Sequence, residues 1–268
     1  MFKKNYINWN VSAKDAWQEI KSFIILIFLA LCIRALVFEP FYIPSGSMKN
    51  TLIEGDYVFA TKYSYGYSKY SFIIETNLFN GRFFAQKPSR GDVVILRVPG
   101  DIHPRFIKRL IGLPGEKIEL KNGAVYINDK PIERQSKRSY MDNGIVFEEY
   151  QEILENGVKY NTRYIKQFPA EGKIIPELTY ANNIGPFYVP DGHYFFLGDN
   201  RDESGDSRFQ LGFVPFENFI AKAQFVFFSF GELLVLDNFL SLEQINHIYK
   251  WATSFEYKRF FARCLYTS

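Results

Sequence analysis

One segment limits every fold open to this chain: residues 23–38 read FIILIFLALCIRALVF, an apolar run interrupted only by Arg34. A membrane-crossing helix takes about 20 apolar residues, so the run falls slightly short. Trp17 and Ser22 extend it on one side, and Arg34 can carry its guanidinium to the interface on the other. The expectation is a single N-terminal transmembrane helix over residues 22–39. Lys3, Lys4, Lys14 and Lys21 precede it, while Glu39 and Pro40 follow. The positive-inside rule then puts residues 1–21 in the cytoplasm and everything after Pro40 on the outer, periplasmic side of the inner membrane. A cleavable leader is the competing reading, because Ser45-Gly46-Ser47 is a small-x-small pattern. Against it stand Asp15 and Glu19 in a long leading segment, and an apolar run beyond the usual leader length.

Beyond Pro40 the helical period gives way to short apolar runs bounded by Gly, Pro, Asn and Asp, as antiparallel sheets require. Strands are expected over 57–61, 92–98, 116–120, 124–127, 192–197 and 221–228. Asn122-Gly123 between two such runs is a hairpin signal, and Gly112-Leu113-Pro114-Gly115 marks a second turn. Aromatic residues, 18% of the chain with 28 Phe and 18 Tyr, suit β-rich packing or membrane contact. A formal charge of +3 and no run of more than two Lys/Arg argue against a nucleic-acid partner. Cys32 and Cys264 sit at opposite ends without a CxxC or a His pair, so neither a zinc site nor a disulfide framework is expected.

Three segments carry chemistry. Ile43-Pro44-Ser45-Gly46-Ser47-Met48 follows closely on the apolar run; Gly46 permits an unusual backbone, Ser47 offers a hydroxyl beside its own N–H, and Ser45 offers a second donor. A serine hydroxyl needs a base to become a nucleophile. The histidines are His103, His193 and His247, and the G-x-S-x-G elbow is absent, since Met48-Lys49 follow Ser47. A Ser-His-Asp arrangement through His103 or His193 stays open, because triads are defined by geometry. Lysine can act instead if an apolar setting lowers its pKa. Lys108 lies in a strand-like run where Phe106, Lys108 and Leu110 share one face, with Arg105, Ile107 and Arg109 on the other. The third segment is the polar run from Gly198 to Arg208. Its Asn200, Asp202 and Ser204 match the start of a calcium loop, but Leu211 stands where the last ligand would be. Ser204 could bond the lysine amine, with Asp206 and Arg208 paired to brace the loop.

Together these segments resemble the type I signal peptidases, the bacterial leader peptidases. The resemblance runs through four blocks in order: Pro44 to Met48 with Thr51-Leu52 and Gly55-Asp56; Arg90-Gly91-Asp92-Val93-Val94; Arg105 to Gly112 with Pro114-Gly115-Glu116; and Gly198 to Arg208 with Gly212-Phe213-Val214-Pro215. It implies Ser47 as nucleophile, Lys108 as general base, the Ser47 N–H and Ser45 hydroxyl as oxyanion hole, and Ser204, Asp206 and Arg208 as supporting residues. It implies a mainly β fold of two antiparallel β-sheet domains, the second inserted in the first, behind the N-terminal helix. Catalytic β-domain residues would be 40–130 and 186–235, the inserted subdomain 131–185, and 236–268 a basic aromatic tail. The implied partners are preprotein signal peptides with small residues one and three before the cut, membrane lipid, and an encounter with the secretion machinery. No metal or organic cofactor is implied.

The sequence departs from that pattern in places. Many members carry two N-terminal spans where one is expected here, the aromatic stretch 63–87 separates the first two blocks widely, and the tail is not covered by them. Another Ser-Lys peptidase, such as a self-cleaving repressor, lacks the anchor. A membrane-tethered β-domain that binds partners without catalysis is the alternative from a different class.

Overall fold

The computed structural model describes residues 13–72, 79–100, 105–167, 182–230, 259 and 264. A helix, α1 (Ala13–Leu36), leads into β1 (Phe38–Tyr42), a 3₁₀ turn at Gly46–Met48 and β2 (Asp56–Thr61). A small ribbon of β3 (Tyr67–Ser68) and β4 (Arg82–Phe83) precedes β5 (Val93–Arg97) and β6 (Arg105–Gly112). Next come β7 (Lys117–Lys121), β8 (Ala124–Ile127) and β9 (Lys130–Pro131), then β10 (Glu133–Asp142), β11 (Ile145–Ile153) and β12 (Lys159–Gln167). The last described strands are β13 (Ile184–Tyr188), β14 (His193–Leu197), β15 (Val214–Pro215) and β16 (Phe219–Ser229). The six expected strands all form, with β16 longer at both ends. Asn122 and Gly123 both take positive φ, 49° and 72°, which the two central residues of the hairpin turn between β7 and β8 require.

The protein is mainly β, and its principal sheet is seven-stranded in the order β1-β2-β16-β5-β6-β14-β15. All of its pairings are antiparallel. Both faces are buried. Val93, Ile95 and Ile107 point into a cluster with Ile43, Met48 and Leu52, whereas Val94, Leu96 and Leu110 point into another with Phe196 and Phe219. This is the two-residue alternation read in the sequence, with apolar residues on both phases. A second sheet runs β13-β7-β8-β9, and a third β10-β11-β12. β13 crosses the boundary expected at residue 186, because its residues from Ile184 onward pair with β7.

At the N-terminal end the expected anchor is altered. Phe38 and Glu39 leave the helix and pair with Thr61 and Ala60 across β1 and β2. The physical reason is Pro40, which cannot continue a helix and pushes its predecessor into extended backbone. Among the described residues, no helix is long and apolar enough to cross a membrane, so the structure does not show the span expected over 22–39. The apolar side chains of α1 are nonetheless open to their surroundings: Phe23, Leu26 and Phe28 are all more than 60% exposed. The stretch 63–87 packs on the principal sheet where it is described. Arg82 donates to the carbonyls of Gly66, Phe216 and Phe219, and the Tyr67 hydroxyl caps the Leu36 carbonyl at the end of α1. Residues 1–12 and most of the tail 236–268 lie outside the described residues. Of the tail, Cys264 is buried and its N–H donates to the Gln224 carbonyl, while Arg259 pairs with Asp56.

Candidate active site

Lys108 sits in the middle of β6, directly opposite Val94 on β5 and two residues from Phe106 and Leu110 on the same face. It is 4% exposed, makes no ion pair among the described residues, and lies 5.3 Å from the Phe106 ring centre. Burial disfavours the ammonium and pushes the pKa down to about 8, against the opposing pull of Asp206 and Asp199 and with a smaller contribution from Arg208. The 3₁₀ turn brings Ser47 to it: Nζ and the Ser47 Oγ are 2.6 Å apart. At that distance the ammonium donates to the hydroxyl, and the neutral amine can take its proton. Ser45 Oγ stands 3.5 Å from Ser47 Oγ. The three side chains open on a cavity of about 640 Å³ whose wall includes Pro44, Phe106 and Ile107.

The polar run after β14 packs beneath this turn. Gly198 is a contact point: a Cβ there would overlap both the Ser204 side chain and the Ser47 carbonyl oxygen. The Gly198 N–H donates to Asp206 at 3.0 Å, and Asp206 and Arg208 form a fully buried ion pair at 2.9 Å. Burial alone would raise Asp206, but Arg208 and the Gly198 N–H outweigh it and hold the carboxyl below its ordinary value. Ser204 is buried nearby, yet its hydroxyl has no hydrogen-bond partner among the described residues. The bond from Ser204 to the lysine amine that the sequence suggests is therefore not formed.

Asn200 does what the sequence reading did not assign to it. Its N–H donates to the Ser47 carbonyl at 3.1 Å and its side-chain amide to the Gly46 carbonyl at 3.0 Å, clasping the turn from below. On the other face of β6, Arg109 is wholly buried and grips Asp199 at 2.8 and 2.7 Å, with Thr51 completing the cluster. Asp202 accepts the Ile165 N–H at 2.7 Å through one of its carboxylate oxygens. His193 lies on β14 with Nδ1 against the Asp191 carbonyl, without a hydrogen bond to Ser47; His103 and His247 lie outside the described residues.

A family model described as signal peptidase, peptidase S26, matches residues 16–228. The chain belongs to this family. Among its curated S26 relatives, the signal peptidase I of Rickettsia prowazekii (strain Madrid E) is 50% identical over 96% of this chain and 96% of its own. That of Rickettsia typhi (strain ATCC VR-144 / Wilmington) is 51% identical over 92% of this chain and 94% of its own. A solved signal peptidase I from Enterococcus faecalis V583 is 28% identical and covers 51% of this chain and 97% of that one. Its TM-score of 0.30 is too low to bear on the fold. The S26 match spans all four sequence blocks, from the Ser47 turn to Val214-Pro215.

Proposed function

We propose that this chain is a membrane-bound serine endopeptidase that removes signal peptides from exported preproteins, with Ser47 as nucleophile and Lys108 as general base. The observation that carries the reading is the 2.6 Å contact between a buried amine, with no ion pair among the described residues, and a serine hydroxyl at the wall of an open cavity. Neutral Lys108 takes the Ser47 proton as Oγ attacks the scissile carbonyl. The tetrahedral oxyanion is met by the Ser47 N–H and the Ser45 hydroxyl. The lysine, now an ammonium, protonates the leaving amine, and the same amine then activates water to release the acyl-enzyme. Asp206 and Arg208 support the site by fixing Gly198 under the Ser47 turn, and Ser204 fills the space beside it. Small side chains one and three residues before the cut, held as an extended strand along the cavity, are the substrate preference we assign.

The exposed apolar flank of α1 supports anchoring in the cytoplasmic membrane, the lysine-rich N-terminal end inside and the β-structure outside. In this reading residues 40–130 and 184–235 form the catalytic unit and 131–183 an insert, with β13 kept whole beside β7. The full chain in detergent micelles tests the chemistry. Ser47→Ala, with its circular dichroism unchanged, should lose preprotein cleavage by about 10⁴-fold or more. Retained cleavage would leave only the non-catalytic, partner-binding β-domain.

A further inference from the structure

The third sheet, β10-β11-β12, contributes no residue to the proposed chemistry, yet it is bolted to the loop that does. The Arg163 N–H on β12 donates to the Asp199 carbonyl at 2.9 Å and the Ile165 N–H to the Asp202 carboxylate at 2.7 Å. The polar loop thereby covers the edge of β12 that would otherwise present unpaired amides. Beside these bonds lies Arg201, 1% exposed, whose fork meets Glu152 of β11 at 2.7 and 2.5 Å. The Tyr164 and Tyr160 hydroxyls complete the cluster, and Arg201 Nε returns to the Gly198 carbonyl at 3.1 Å.

Asn200 therefore stands between two residues each locked by a buried bidentate pair. Asp199 is held by Arg109 of the principal sheet and Arg201 by Glu152 of the third. Asn200 in turn carries the Gly46 and Ser47 carbonyls, so both pairs bear on the turn that holds the Ser47 hydroxyl. We propose that Glu152 and Arg201 are positioning residues through which the third sheet sets the Ser47–Lys108 geometry, an inference that rests on the dyad reading above. Stability alone is a poor reason for such a pair, because desolvation commonly cancels the attraction and an apolar pair of similar size does as well. Geometry is a better one: misplacing a reacting group by about 1 Å can cost about 100-fold in rate.

The test compares the wild type with Arg201→Lys, which keeps the charge but loses the fork, and with the double variant Glu152→Met/Arg201→Met, which removes both charges at similar volume. Each is assayed in micelles on a preprotein-derived peptide with Ala one and three residues before the cut, and its folding is followed by thermal melting. The expected result is a 10- to 100-fold fall in kcat with KM within about twofold, and an upward shift of the pH midpoint as the amine loses its fixed, dry seat. A folded double variant with kcat within twofold and an unmoved midpoint would overturn the proposal; if the double variant does not fold, Arg201→Lys decides by the same criteria. An inactive wild type, or an active Ser47→Ala, would instead overturn the dyad reading.

Discussion

Lys108 and Arg109 are neighbours on one strand, both buried, yet their pKa values move in opposite directions. Arg109 faces Asp199, Thr51 and the Cys264 carbonyl. Burial would pull its pKa down, but Asp199 prevails and holds it above the ordinary value. Lys108 faces Val94, Phe106 and a serine, and its pKa falls to about 8. The period of a β-strand sends adjacent residues to opposite faces, so one step along the chain separates a permanently charged structural cation from an amine that can lose its proton near neutrality. A reactive lysine in this setting is made by withholding a carboxylate.

The largest effect that sharpens the contrast is kinetic. If the neutral amine is the base, kcat/KM falls tenfold for each pH unit below about 8, or about 10³-fold by pH 5; a flat profile in folded enzyme would break the comparison. Next is Arg109→Met, which strands a buried Asp199 carboxylate and should cost about 3–5 kcal/mol in urea unfolding. Lys108→Met should move stability the other way. The unfolded lysine binds its proton up to its ordinary value of 10.5 and the folded one only to about 8, so the native state carries a penalty below pH 8 that disappears as pH rises through 10.5. Removing the amine should raise stability by about 3 kcal/mol at pH 6 and by little at pH 11. Melts at the two pH values read this directly. The smallest effect is Ser204→Ala. Deleting a buried hydroxyl that has no partner among the described residues should leave stability within about 1 kcal/mol of wild type or slightly above it, and activity within a few fold.

The contrast also marks how far the sequence could be read. The apolar face around Lys108 was legible because Phe106, Lys108 and Leu110 obey a local period, and the β7–β8 hairpin because Asn-Gly suits its turn. The Arg109–Asp199 pair was not, since its members lie 90 positions apart and only the fold brings them together. Asn200 stood inside a motif whose density announced a role but not which atom it would hold. The expected Ser204 bond failed because adjacency in a polar run does not set where a hydroxyl points. β10 escaped notice for a simple reason: all of its residues are exposed or half-exposed, so no apolar alternation records it. At the other end, apolar character alone could not tell that Phe38 would leave the helix for a strand partner.

That early departure into β1 sets a length. The helix ends at Leu36, the five residues of β1 are pinned in register against β2, and the turn bearing Ser47 begins four residues later. A five-residue strand spans about 16 Å. Pairing makes that distance a ruler rather than a tether. If α1 marks the bilayer, the hydroxyl stands at a fixed height above it, and a preprotein is gauged by how far its cleavage site extends past its own apolar segment.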